Sequence, residues 1–98
     1  QAVRRLRDGS YIVDASISIH DLADQHSLAF PESAEYETLA GFLITQLQRM
    51  PRGGEIVNYE GWRLTIVDMD GRRIARVKIE PRPQDKGRKE PARPSDAA

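Results

Sequence analysis

The sequence predicts an α+β fold in which an antiparallel sheet, an N-terminal strand plus a three-stranded meander, carries two helices on one face. Three observations predict it. Apolar residues recur at helical spacing from Tyr36 through Leu39, Phe42, Leu43 and Leu47 to Met50. Beyond Gly53-Gly54 the period changes from 3.6 to 2, and two turn signals, Glu60-Gly61 and Asp70-Gly71, place the large apolar groups of residues 55–80 on one sheet face.

Taken in order, residues 1–7 are basic and short and read as the remnant of a linker. Asp8-Gly9 marks a turn, and Tyr11, Val13, Ala15 and Ile17 then share one face of a first strand. Ser18 opens an S-x-x-D capping pattern with Asp21, which predicts a short helix through Leu22, Ala23 and His26. Leu28, Phe30 and Pro31 form an extended link. The long helix is expected from a Ser33 cap, with Glu35 and Glu37 at the positive end of its dipole and Thr45, Gln48 and Arg49 facing outward. Arg49, Pro51 and Gly53-Gly54 stop it. Gly41 breaks the helical rule, since a mid-helix glycine costs about 1 kcal/mol relative to alanine; a close backbone approach at that point is the expected compensation.

The two turns set a register. A two-residue Glu60-Gly61 loop pairs Tyr59 with Trp62, Asn58 with Arg63 and Val57 with Leu64. An Asp70-Gly71 loop pairs Asp68 with Arg73, Ile66 with Ala75, Leu64 with Val77 and Trp62 with Ile79. The reverse face then holds Arg63, Thr65, Arg76 and Lys78 together with Val67, Met69, Arg72 and Ile74, and is amphipathic. Residues 82–98, rich in proline and charge, read as a disordered tail.

A chain of 98 residues suffices for one domain, here residues 8–81. The absence of cysteine excludes a disulfide framework and a thiolate metal site. No apolar run approaches the roughly 20 residues that cross a bilayer, and no signal peptide opens the chain, so it reads as soluble, without direct membrane insertion. Its start at Gln1 rather than Met reads as a piece of a longer protein. Residues 1–81 carry 10 basic and 12 acidic side chains, and residues 82–98 carry 5 and 3. That balance provides no footprint for nucleic acid.

These residues resemble the CorC/HlyC transporter-associated domain. The resemblance lies in D-G-S-Y-I-V-D (8–14), Asp21-Leu22, Leu28, Pro31, Y-E-T-L-A-G (36–41), P-R-G-G-E (51–55) and D-G-R-R-I (70–74), and it spans about residues 8–80. Ala15 and Ala40 stand where members of that family often have glycine. The resemblance implies a fold similar to a subdomain of flavin-binding dehydrogenases. It implies a non-catalytic module on the cytoplasmic face of the inner membrane, downstream of CBS domains in magnesium and cobalt efflux or "hemolysin-like" membrane proteins. Its implied role is modulation of ion transport, and it supplies no catalytic residues.

The candidate chemistry is sparse. His20 and His26 are six apart, so on a helix they point about 240° from each other and cannot clamp one metal; His20 with Asp24 is the better-spaced pair but lacks a third ligand. Asp68 and Asp70 at the D-M-D-G hairpin offer oxygens for a divalent cation. The favoured alternative is that Asp68 pairs with Arg73 and Asp70 serves the turn. Gly53-Gly54 is not followed by a helix N-terminus and is a turn rather than a phosphate loop. Catalysis has no support: there is no cysteine, no triad spacing and no carboxylate pair on a helix face.

The function expected is therefore a cytosolic regulatory and interaction domain of a membrane ion transporter, without a resident cofactor. It would dock on the CBS and membrane domains of its parent chain, or on a second copy as a homodimer, through Val67, Met69, Arg72, Ile74 and Arg76. The alternative is a small-ligand sensor for an adenine nucleotide or divalent cation, with Asp68, Asp70 and Arg73 near the site.

Overall fold

The computed structural model describes residues 2–82. The chain runs β1 (Val3–Arg5), β2 (Tyr11–Asp14), α1 (Ile19–His26), α2 (Leu39–Leu47), β3 (Ile56–Tyr59), β4 (Trp62–Asp70) and β5 (Arg73–Pro81). The strands form one antiparallel sheet in the order β1-β2-β5-β4-β3. The fold is α+β, as expected, with one strand more than the sequence reading contained. The disordered tail expected over residues 82–98 lies, apart from Arg82, outside the described residues.

The extra strand corrects the assignment of residues 1–7 to a linker. Val3 pairs with Val13, Arg4 with Ile12 and Arg5 with Tyr11, and the Arg5 guanidinium sits 5.9 Å from the centre of the Tyr11 ring. The turn between β1 and β2 is closed by side-chain chemistry. Asp8 Oδ1 accepts from the Ser10 N–H at 2.9 Å and from its hydroxyl at 2.6 Å, while Gly9 supplies a φ of +88°.

The short helix α1 starts as the capping pattern predicts, with the Asp21 N–H donating to Ser18 Oγ at 2.9 Å. The second helix differs. Its N-cap is Thr38, whose Oγ1 accepts from the Gly41 N–H, and it spans nine residues rather than the full stretch from Ser33 to Met50. The physical reason is that the backbone of residues 31–38 is committed elsewhere. The Tyr36 hydroxyl donates to the Pro31 carbonyl at 2.6 Å, and the Ile19 N–H donates to the Glu37 carbonyl at 2.8 Å. Ser33 Oγ accepts instead from the Glu35 N–H in a local turn. Gly41 thus falls in the first turn of α2, where an added Cβ would lie 2.6 Å from Tyr36 Cβ. A close approach exists there, but it is made by the side-chain Cβ of Tyr36 rather than by another backbone.

Beyond α2, Gln48 takes the left-handed C-cap, and its N–H donates to the Ile44 carbonyl at 2.7 Å. The loop that follows is clamped by a forked ion pair between Arg49 and Glu55, and the Arg52 N–H donates to the same carboxylate at 2.6 Å. One core results. Val13, Leu64, Ile66, Val77 and Ile79 from the sheet meet Ile19, Leu22, Leu39, Phe42 and Leu43 from the helices, with Leu28 and Phe30 between them. Phe42 is the hub of an aromatic cluster, its ring centre 5.4 Å from those of Phe30 and Tyr59 and 5.7 Å from that of Tyr36. No described element covers the opposite face of the sheet, where Ile56 and Val67 are each half exposed.

Candidate functional site

The first hairpin of the meander has the expected register, Tyr59 with Trp62, Asn58 with Arg63 and Val57 with Leu64. The second does not. Its loop residues are Gly71 and Arg72 rather than Asp70 and Gly71, with positive φ at Gly71 alone, the pattern a type II′ turn requires. Asp70 therefore pairs with Arg73, Ile66 with Val77, Leu64 with Ile79 and Trp62 with Pro81. A slip of two residues keeps the core face unchanged, which is why Leu64, Ile66, Val77 and Ile79 are still buried.

A bulge with one extra residue in each strand, Val67 in β4 and Ala75 in β5, then reverses the facing of the hairpin end. Met69 pairs with Ile74, and both turn toward the helices: Ile74 is 6% exposed, and Met69 packs half-buried against the core. This corrects the expectation of one continuous outer surface built from Val67, Met69, Arg72, Ile74 and Arg76. Val67 stays exposed on the uncovered sheet face, whereas Arg72, Ile74 and Arg76 line a groove on another side of the hairpin. The bulge also moves the partner of Asp68. Its Oδ2 lies 3.5 Å from Nη1 of Arg76, not beside Arg73.

The groove has a volume of about 660 Å³. Its apolar wall is Ala40 and Ile44 of α2, Met50 beyond the helix, and Ile74 and Ala75 of β5. Met50 was expected in the buried stripe and is instead 46% exposed, because α2 ends at Leu47. The polar rim comprises Asp14 and Ser16 from the end of β2, and Asp68, Asp70, Arg72, Arg73 and Arg76 from the hairpin. Ala15 ties the two together, its N–H donating to the Ala75 carbonyl at 3.0 Å. Asp14 Oδ1 accepts from the Ser16 N–H at 2.9 Å and the Ser16 hydroxyl at 2.8 Å, and these bonds, helped by Arg76, hold its carboxyl below the usual carboxylate range.

Of the residues singled out in the sequence, the structure thus brings Asp68, Asp70, Arg72, Arg73, Ile74 and Arg76 to one place. Ile44, Met50, Asp14 and Ser16 were missed as groove residues, since nothing in sequence marks an approach between positions so far apart. Among the described residues no group of three or more His, Asp or Glu side chains is placed to hold a metal ion. His20 lies apart from the groove, its Nδ1 3.6 Å from Glu32 Oε2 on an exposed flank of α1.

Residues 4–83 match the CorC_HlyC family model, described as a transporter associated domain. Hemolysin C of Brachyspira hyodysenteriae is 34% identical over 73 residues, which are 74% of this chain and 27% of that protein. The polyamine export protein of Salmonella typhimurium is 30% identical over 73 residues, 74% of this chain and 16% of that protein. Among solved structures, the transporter associated domain from a CBS domain protein of Porphyromonas gingivalis superposes with a TM-score of 0.70 at 33% identity, covering 83% of this chain and 98% of that one. The chain spans between about a sixth and a quarter of the length of those two relatives. By the extent of the family match and the shared fold, the chain belongs to the CorC_HlyC transporter-associated domain family.

Proposed function

We propose that this domain is a non-catalytic regulatory module of a membrane transporter and that it modulates transport by contact with the CBS and membrane domains of its parent chain at the cytoplasmic face. The observation that carries this reading is the match of residues 4–83 to a family described as transporter-associated, with a polyamine export protein among its relatives and a CBS domain protein among its structural neighbours. The contact surface assigned is the uncovered sheet face, where the half-exposed Ile56 and Val67 stand among Thr65, Lys78 and Arg63. On that face Glu80 is already occupied, 3.0 Å from Arg63 and 3.8 Å from Lys78.

The test is made in the full-length parent protein. Substrate flux is measured in cells expressing the parent with and without residues 8–81, at matched membrane abundance, and with I56D/V67D in the intact chain. Altered flux in both variants supports the reading. Flux identical to the unmodified parent at every substrate concentration overturns it. A second copy of the domain is the competing occupant of the same face, and sedimentation of the isolated chain across protein concentrations detects it.

A further inference from the structure

We propose that the groove between the β4–β5 hairpin and α2 binds a small organic phosphate, its phosphate held by Arg72 and Arg73 and its apolar body laid against Ile44 and Met50. This goes beyond the docking reading, which uses the other face of the sheet. Three observations carry it.

The first is size. At about 660 Å³ the groove lies within the range of small-molecule sites, roughly 300–1,000 Å³. The second is the charge left over once the groove's own pairs are removed. Asp14 is occupied by the Ser16 N–H and hydroxyl, and Asp68 faces Arg76 at 3.5 Å. Within the described residues neither Arg72 nor Arg73 makes a side-chain hydrogen bond or an ion pair, and of the carboxylates only Asp70 is left beside them. Two free guanidiniums exceed what one carboxylate group needs, since a single guanidinium fork already engages both of its oxygens. A phosphate monoester, with three terminal oxygens and nearly two negative charges, matches two forks. Asp70 is left to accept from a ligand hydroxyl or amino group.

The third observation is the apolar wall. Ile44 and Ala75 are half-buried, and the flexible thioether of Met50 stands exposed at the mouth, suited to an irregular apolar body. An inorganic anion would leave that wall unused. A nucleoside monophosphate uses both halves, with the phosphate on the arginines, the base on Ile44 and Met50, and a ribose hydroxyl or base amino group on Asp70.

The test is calorimetric titration of the 98-residue chain with AMP, with adenosine and with inorganic phosphate, at low ionic strength. The proposal expects saturable one-to-one binding of AMP, at least tenfold tighter than either adenosine or inorganic phosphate. It also expects at least a tenfold loss of AMP affinity in R72A/R73A and a smaller loss in M50E. Those three side chains are exposed, and circular dichroism of each variant verifies that its fold is kept. Absence of AMP binding, AMP binding no tighter than inorganic phosphate, or binding retained in folded R72A/R73A overturns the proposal. The assay contains no transporter, so its outcome is independent of the flux experiment.

Discussion

Glu60 carries the least comfortable backbone in the meander. It takes φ +53° in the two-residue loop between β3 and β4, a region that costs an L-residue with a Cβ on the order of 1 kcal/mol, while the neighbouring Gly61 does not use its freedom there. Replacing Glu60→Gly or Glu60→Asn should therefore raise stability by about 0.5–1 kcal/mol, read as a higher midpoint in chemical denaturation. A fall would mean that the Glu60 side chain offsets the strain. Capping residues show how far single positions were legible. Ser18 was, because the S-x-x-D pattern with Asp21 marks it, and its Oγ accepts from the Asp21 N–H. Ser33 was misread as the cap of α2 because several hydroxyl residues precede that helix, and local chemistry alone cannot rank Ser33 against Thr38. The bond from the Ile19 N–H to the Glu37 carbonyl settles the matter by holding residues before Thr38 out of the helix.

At the scale of elements, the β4–β5 hairpin and the 49–55 loop each yield a prediction. Strict alternation puts Val67, Met69 and Ile74 on a single face, and the bulge separates them. Val67→Asp should shift stability by less than about 0.5 kcal/mol, whereas Ile74→Ala should cost about 2–4 kcal/mol by emptying a buried site. Equal effects in thermal unfolding would contradict the bulge. In the loop, the Arg49 side chain and then the Arg52 N–H hold the Glu55 carboxyl down to about 2. A carboxylate depressed in the folded state stabilises fully above its unfolded value of 4.5 and loses that contribution as pH falls toward 2. Acid titration of stability should thus show a decline between those values that Glu55→Gln flattens. The loop itself was legible as a helix stop from Pro51 and Gly53-Gly54, but the clamp was not, because an ion pair across six residues has no periodic signature.

For the whole molecule, the strand added by residues 3–5 makes β1 rather than β2 the sheet edge. Deleting residues 1–7 should expose the pairing side of β2 and remove the bond from the Asp14 N–H to the Ala2 carbonyl, lowering stability by on the order of 2 kcal/mol in denaturant titration. An unchanged midpoint would restore those residues to the role of a linker. The segment escapes sequence reading because Val3 is its one apolar residue facing the core, and a three-residue strand is too short for a period of 2 to register.

The order of α1, α2 and the meander strands, the existence of both meander hairpins and the choice of core face follow from local chemistry: capping pairs, turn glycines and apolar spacing act over a few residues and are written where they act. The start of α2, the bulge, the recruitment of β1 and the groove were decided only when distant parts of the chain met. Each depends on which of several locally equivalent hydrogen bonds closes, those of β1 and of the bulge against the neighbouring strand of a hairpin, that of Ile19 against Glu37, and that of Ala15 against Ala75 at the far end of the chain. The groove shows this most directly. Arg72 and Arg73 stand out in sequence as charge, but they acquire a ligand-sized cavity only because α2 ends early enough to leave Met50 facing them.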